Sequence, residues 1–99
     1  MTYTIEISEF AVQDIAEIIE WYRDQKEGLE YEFVSSLEFT LGQVESNPLA
    51  FQLRIKQSRV ALLQRFPYKV VFKIYGSIIK IIGVIHHSRN PKLIRKRLK

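Results

Sequence analysis

The sequence predicts an α+β fold: an N-terminal strand, an αα-hairpin, then a three- to four-stranded antiparallel sheet, stacked in two layers. Three observations carry this. Apolar residues recur twice at helical spacing in the first half, with only a short link around Gly28 between the two runs. In the second half, two runs rich in β-branched residues flank Gly76-Ser77, a two-residue hairpin signal. Ahead of both helices, residues 2–7 alternate, with Tyr3, Ile5 and Ile7 on one side and Thr2, Thr4 and Glu6 on the other.

The elements follow in order. Ser8 is suited to cap the first helix, and Glu9 to lie at its positive end. Ala11, Ile15, Ile18 or Ile19, and Tyr22 form the stripe, and Trp21 widens it. This helix is expected to run to about Lys26, with Gly28 as its stop. Phe33, Leu37, Leu41 and Val44 mark the second helix, flanked by Phe39 and Thr40. Asn47-Pro48 ends it, because proline keeps the preceding residue out of the helical region. A weak strand is expected over residues 51–55 and a moderate one over residues 59–63. Strong strands are expected over residues 68–75 and 78–86, with Pro67 at the first of them, where its missing N–H is tolerated. The closing K-L-I-R-K-R-L-K is either a short helix or a disordered tail.

The helical hairpin interrupts the strands, so the first strand must pair non-locally. The helices can bury their stripes only on the sheet, which leaves its other face partly open. Regular alternation in the last strand puts Ile79, Ile81, Gly83 and Ile85 under the helices, and Ile78, Lys80, Ile82, Val84 and His86 on the open face. In the preceding strand Lys69, Val71, Lys73 and Tyr75 share that open side.

The chain has 99 residues, which predicts one domain over residues 1–99. Hydrophobic residues make up 46%, too many for a disordered chain. Cysteine is absent, which excludes a disulfide framework, a thiolate nucleophile and a cysteine metal site, and suits a reducing cytosol. The opening M-T-Y-T-I-E-I does not read as a secretory leader. The longest apolar tract, residues 78–85, is broken by Lys80 and Gly83 and falls short of the ~18 residues of a membrane helix.

Charge is divided along the chain. The net formal charge is +4, yet no Asp or Glu occurs from Asn47 onward, and every Lys and Arg except Arg23 and Lys26 lies there. An acid-free basic half points to a polyanion or an acidic protein segment as partner. The last strong strand ends in His86, His87, Ser88 and Arg89, delivering basic and ring side chains to the rim of the sheet. Adjacent histidines on a strand point apart, and no acid or thiol follows them, so no metal site is expected. Walker and dinucleotide glycine patterns are absent, and no nucleotide cofactor is expected.

Several motifs in this order resemble the RelE/ParE superfamily of bacterial toxins. The first is A-x-x-D-I-x-x-I-x-x-W-Y, here Ala11, Asp14, Ile15, Ile18, Trp21 and Tyr22. G-L-x-x-x-F and L-x-x-x-L-x-x-V-x-x-N-P span Gly28 to Pro48. An arginine-led strand, F-P-Y-x-V-x-F and I-x-I-x-x-V-x-H-x-x-R complete the pattern. The resemblance implies a two-layer fold of that type and a cytoplasmic toxin neutralised by an acidic antitoxin. It also implies complexes of two toxins with two antitoxins. One branch of the superfamily cuts messenger RNA in the ribosomal A site; the other poisons DNA gyrase. The pattern looks closer to the ParE side, which often carries the label plasmid stabilisation protein.

Metal-free RNA cleavage needs a base, an acid and a cation on the phosphate. If the chain is a nuclease, the resemblance assigns these roles to Arg59, His86 and Arg89. If it acts by binding, the antitoxin- or target-contacting candidates are Arg59, Arg65, Lys73, Lys80, Arg89, Arg95 and Arg97. Many nucleases of the superfamily carry a tyrosine near the C-terminus, and the tail P-K-L-I-R-K-R-L-K has none. The Glu pair and His-Tyr ending of another nuclease subgroup are missing too. The first expectation is therefore a ParE-like toxin that binds a cellular target, DNA gyrase. The alternatives are a ribosome-dependent endoribonuclease and an inactive homologue that only binds antitoxin.

Overall fold

Ser8 starts the helical layer as expected. Its Oγ accepts from the Ala11 amide at 3.2 Å and so satisfies one of the free N–H groups at the helix start. The computed structural model describes residues 2–98; Lys99, the last residue of the basic tail, lies outside them. The described chain runs β1 (Thr4–Ile7), α1 (Glu9–Gln25), α2 (Leu29–Ser46), β2 (Arg59–Leu62), β3 (Tyr68–Tyr75), β4 (Ile78–His86) and α3 (Lys92–Arg97). Gly28 has φ 90°, a conformation side chains resist, and this sharp corner lets α2 fold back on α1. Glu30 closes the corner: its carboxylate accepts from the Gly28 amide at 3.0 Å and from Arg23 Nε at 3.2 Å.

The sheet order is β1-β4-β3-β2. β2, β3 and β4 are antiparallel, whereas β1 joins β4 in parallel. The sheet is therefore mixed rather than wholly antiparallel. A parallel pair needs a long crossover, and the helical hairpin lies in the connection between these two strands. Residues 51–55 do not form the weak strand expected of them. They make one bridge, Leu53 to Arg59, and run into a tight turn at Ile55–Gln57.

One face of the sheet carries the main core. Phe33 is fully buried, with Tyr22, Phe66 and Tyr68 packed around it at ring-centroid distances of 5.7, 5.7 and 5.8 Å. Trp21 is not part of this core: it is 54% exposed and only its edge meets Tyr22. Within α2, Thr40 is the more deeply buried residue beside Leu41; its hydroxyl donates to the Ser36 carbonyl at 3.0 Å, which removes the cost of burial.

Regular parity in β4 breaks at Ile82. Phe72 pairs with Ile81 but Val71 pairs with Gly83, so Ile82 is a bulge residue. Before the bulge Ile79 and Ile81 join the helix-side core; after it Val84 does. Ile82 and Ile85 face the opposite side with Val71. The expected faces of Ile85, Val84 and His86 are thus exchanged. His86 stands against Tyr68 at 5.4 Å, on the helix side of the rim. The opposite face is not simply open either: α3 lies on it, with Ile94 against Val71, Ile82 and Ile85.

α3 is tied down at the edge of β4. β1 pairs only as far as Ile81, so the next groups of β4 lack a strand partner. Asp14 of α1 accepts from the Val84 amide at 3.0 Å, and Arg97 of α3 donates to the Ile82 carbonyl at 3.3 Å. The two side chains also pair with each other through two bonds, at 2.7 and 3.0 Å. Their side chains are only 14% and 11% exposed. This ion pair takes the place of the missing strand. It needs Gly83, because a Cβ there would collide with Arg97 Nη1 and lie 3.0 Å from Asp14 Oδ2.

Candidate functional site

The end of β4 delivers His86 and Arg89 to one small cleft of about 230 Å³, against α1. Tyr68 and Trp21 supply ring surfaces there, and Glu17 and Asp14 supply carboxylates. His86 Nδ1 lies 3.1 Å from the Ser88 amide and 2.8 Å from its hydroxyl. An amide can only donate, so Nδ1 accepts and the neutral ring carries its proton on Nε2. Burial pushes the Tyr68 phenol above its usual range, so this wall of the cleft stays neutral. Arg89 is exposed and pairs with no carboxylate among the described residues.

Arg59 is elsewhere. It starts β2, opposite Phe72, whereas His86 lies opposite Tyr68. At ordinary strand geometry their backbones are about 13 Å apart along the sheet and roughly 10 Å across it. The Arg59 guanidinium is also engaged: Nη1 donates to the Phe51 carbonyl at 2.6 Å and the Leu49 carbonyl at 3.3 Å. It anchors the segment between α2 and β2. His86 and Arg89 are brought together; Arg59 is not brought to them.

The other basic candidates scatter. Arg65, at φ 70°, pairs with Glu32 at 2.7 Å and lies over the Phe66 ring. Lys73 lies 5.5 Å from the Tyr75 ring centroid. Lys80 is opposite Lys73 and beside Glu6 in the sheet register. Arg97 is held by Asp14 and stacks on Phe10, while Arg95 is exposed on α3.

α3 divides the sheet face it covers into two grooves. One, of about 470 Å³, lies toward β1 and contains Lys80, Tyr75, Phe10 and two acids, Glu6 and Glu9. The other, of about 410 Å³, lies toward β2 and is lined by two cations, Arg54 and Lys69, the His87 ring, and the aliphatic Val60, Leu62 and Ile94. Arg54 and Leu62 were not singled out as contact candidates in the sequence, and His87 was noted there only as part of the strand-end cluster. The alternation of Val60, Ala61 and Leu62 was the available signal for Leu62, since burying Ala61 exposes its neighbours. No group of three or more metal-ligating side chains occurs among the described residues, and none of their helices is long and apolar enough to cross a membrane.

A helical hairpin on a β1-β4-β3-β2 sheet is the fold of known toxin–antitoxin proteins. The chain is similar to one in the chromosomal ParDE system from P. aeruginosa, with 16% identity, TM-score 0.77, and coverage of 86% of this chain and 96% of that one. It is also similar to a mutant E. coli toxin RelE in the free state, with 16% identity, TM-score 0.65, and coverage of 99% and 96%. A third similar chain is in the toxin–antitoxin complex RelBE2 from Mycobacterium tuberculosis, with 20% identity, TM-score 0.57, and coverage of 87% and 99%. No protein of curated function matches in sequence. Residues 5–91 match the family described as ParE toxin of type II toxin–antitoxin system, parDE. The chain belongs to the ParE toxin family.

Proposed function

We propose that the chain arrests growth by binding a cellular target, DNA gyrase, and that an acidic antitoxin neutralises it in a cytoplasmic complex. The observation that supports target binding over RNA cleavage is the position of Arg59. Its guanidinium is spent on the Leu49 and Phe51 carbonyls, two strands away from His86 and Arg89. In-line phosphoryl chemistry needs its cations, base and acid around one phosphate, and this spacing keeps Arg59 away from any phosphate held at His86 and Arg89. The cleft holding His86, Arg89, Trp21 and Tyr68 is then a protein-binding hot spot, since exposed Trp and Arg beside a packed ring suit that role.

Expression from a tight inducible promoter tests this. Growth, nucleoid morphology and primer-extension mapping of messenger RNA are read together. Arrest with DNA breaks and intact messages is the expected result. Arrest with codon-positioned cuts that vanish in His86→Ala overturns it in favour of a ribosome-dependent nuclease. No arrest, with antitoxin binding retained, identifies an inactive homologue.

A further inference from the structure

The sheet has two edges, and they are not equally closed. At β2, Leu53 bridges to Arg59 from outside, so that edge is partly taken. β1 is the other edge, and among the described residues no further strand or bridge lies on its outer side. The Thr4 amide donates to the Ser77 carbonyl at 2.9 Å, and the Ser8 amide donates to the Ile81 carbonyl at 3.1 Å. The even-numbered residues of β1 therefore turn their main-chain groups toward β4. These groups alternate along a strand, so those of Ile5 and Ile7 point outward and have no partner among the described residues.

Natural edges that stay unpaired are blunted by lysine, proline or a bulge, or are covered. β1 reads T-I-E-I and has no lysine or proline, and its register with β4 is regular. Its one charge is Glu6, and Lys80 lies beside it in that register. One side of the strand is apolar. Tyr3 and Ile5 pack against the helix-side core, and Ile7, on the same side, is 40% exposed. Thr4 and Glu6, on the other side, are exposed.

A free edge takes any extended chain, but this strand is complementary to itself. In an antiparallel pair centred on Ile5, the outward main-chain groups of Ile5 meet those of its copy. Tyr3 then lies opposite Ile7 on the apolar side, and Thr4 lies opposite Glu6 on the polar side. Thr4 and Glu6 form a non-hydrogen-bonded pair, the kind in which side chains come closest. Sliding the partner by two residues, so that Ile5 meets Ile7, sets Glu6 against Glu6 at that close spacing, and like charges directly opposite repel. Sliding it the other way takes Ile7 from Tyr3. One register thus matches every pair, as a two-fold contact between identical surfaces requires. We propose that two copies of the chain pair through β1, antiparallel and centred on Ile5, and join their four-stranded sheets into one. So short a strand falls below the ~20 residues a side of a standard interface, so the dimer dissociates on dilution. The inference rests on the strand and does not depend on the toxin reading.

The test is sedimentation equilibrium of the full chain over a dilution series, with Thr4→Glu and Thr4→Lys measured beside it. A concentration-dependent dimer is expected. Thr4→Glu sets glutamate against Glu6 twice in each dimer and is expected to weaken it about 10-fold. Thr4→Lys sets lysine against Glu6 and is expected to tighten it. Thr4 is exposed, so neither variant is expected to move the thermal midpoint of the diluted monomer. In a mixed sample of labelled and unlabelled chains, magnetisation transfer between the Tyr3 ring of one copy and the Ile7 methyls of the other is expected, with the Ile5 and Ile7 amides protected from exchange. A monomer at every concentration up to about 1 mM overturns the proposal. So does a dimer that both Thr4 variants leave unchanged, or one whose contacts between copies come from α2 or α3. Protection of the Ile5 and Ile7 amides that appears only when DNA gyrase is added gives the edge to another protein and also overturns it.

Discussion

The two faces of the sheet are built differently. On the helix side, α1 and α2 cover a continuous core in which Phe33, Val70, Phe72, Ile79 and Ile81 are at most 1% exposed. On the other side a single short helix, α3, covers Val71, Ile82 and Ile85 and leaves a groove on each flank. Charge follows the same division, with the acids before Asn47 and the cations mostly after it. A small domain has little stability to spare. Placing most burial on one face allows the other to carry exposed apolar groups and unbalanced charge. The difference teaches that even a small domain can leave one face of its sheet locally unfavourable.

Substitutions that damage each face separately sharpen this contrast. The largest effect is expected for Phe33→Ala, which empties the centre of the aromatic cluster. A loss of about 3–5 kcal/mol by denaturant unfolding is expected, with no stable fold as the extreme. Next come Arg97→Ala and Gly83→Ala, which break the Asp14 clamp from either end. Removing one partner of a largely buried pair costs about 3 kcal/mol, and amide exchange at Val84 should accelerate in both variants. Equal exchange with and without the clamp would mean that the β4 edge is closed by something else.

A smaller effect is expected at Glu30. Hydrogen bonding to its own amide, and then to Arg23 and the Gly28 amide, holds its carboxyl below the usual glutamate range, against the opposing effect of burial. A lowered folded value means that the charged form stabilises the fold. That stabilisation is complete above the unfolded value of about 4.3 and is lost as pH falls through the lower folded one. Glu30→Gln should therefore flatten the acid limb of a stability–pH curve measured with urea. The smallest stability change is expected for Leu62→Glu, within about 0.5 kcal/mol, because the side chain is largely in solvent. A large loss there would place Leu62 in the core and dissolve the contrast between the faces.

Much of this architecture was legible in the sequence. The Ser8 cap, the Gly28 corner, both helical stripes and the strands at residues 68–75 and 78–86 follow from local chemistry. What alternation could not reveal was the bulge at Ile82. One unpaired residue reverses every later side chain in β4, and nothing in a run of isoleucines and valines marks which one is extra. His86 therefore sits on the helix side, beside Tyr68. The partner of Arg97 was hidden for a different reason: Asp14 lies in α1, far away in sequence, and only the early end of β1 brings the two together. Arg59 was visible as a strand-leading arginine. Its grip on the Leu49 and Phe51 carbonyls depends on a turn that periodicity does not predict.

The most direct measurement adds the purified chain to DNA gyrase with supercoiled plasmid and ATP, and follows cleaved DNA after protein denaturation. Accumulation of linear plasmid, abolished by Trp21→Ala or Arg89→Glu in folded variants, is the expected result. Unchanged gyrase turnover, together with cleavage of messenger RNA on programmed ribosomes by the same preparation, would contradict the assignment.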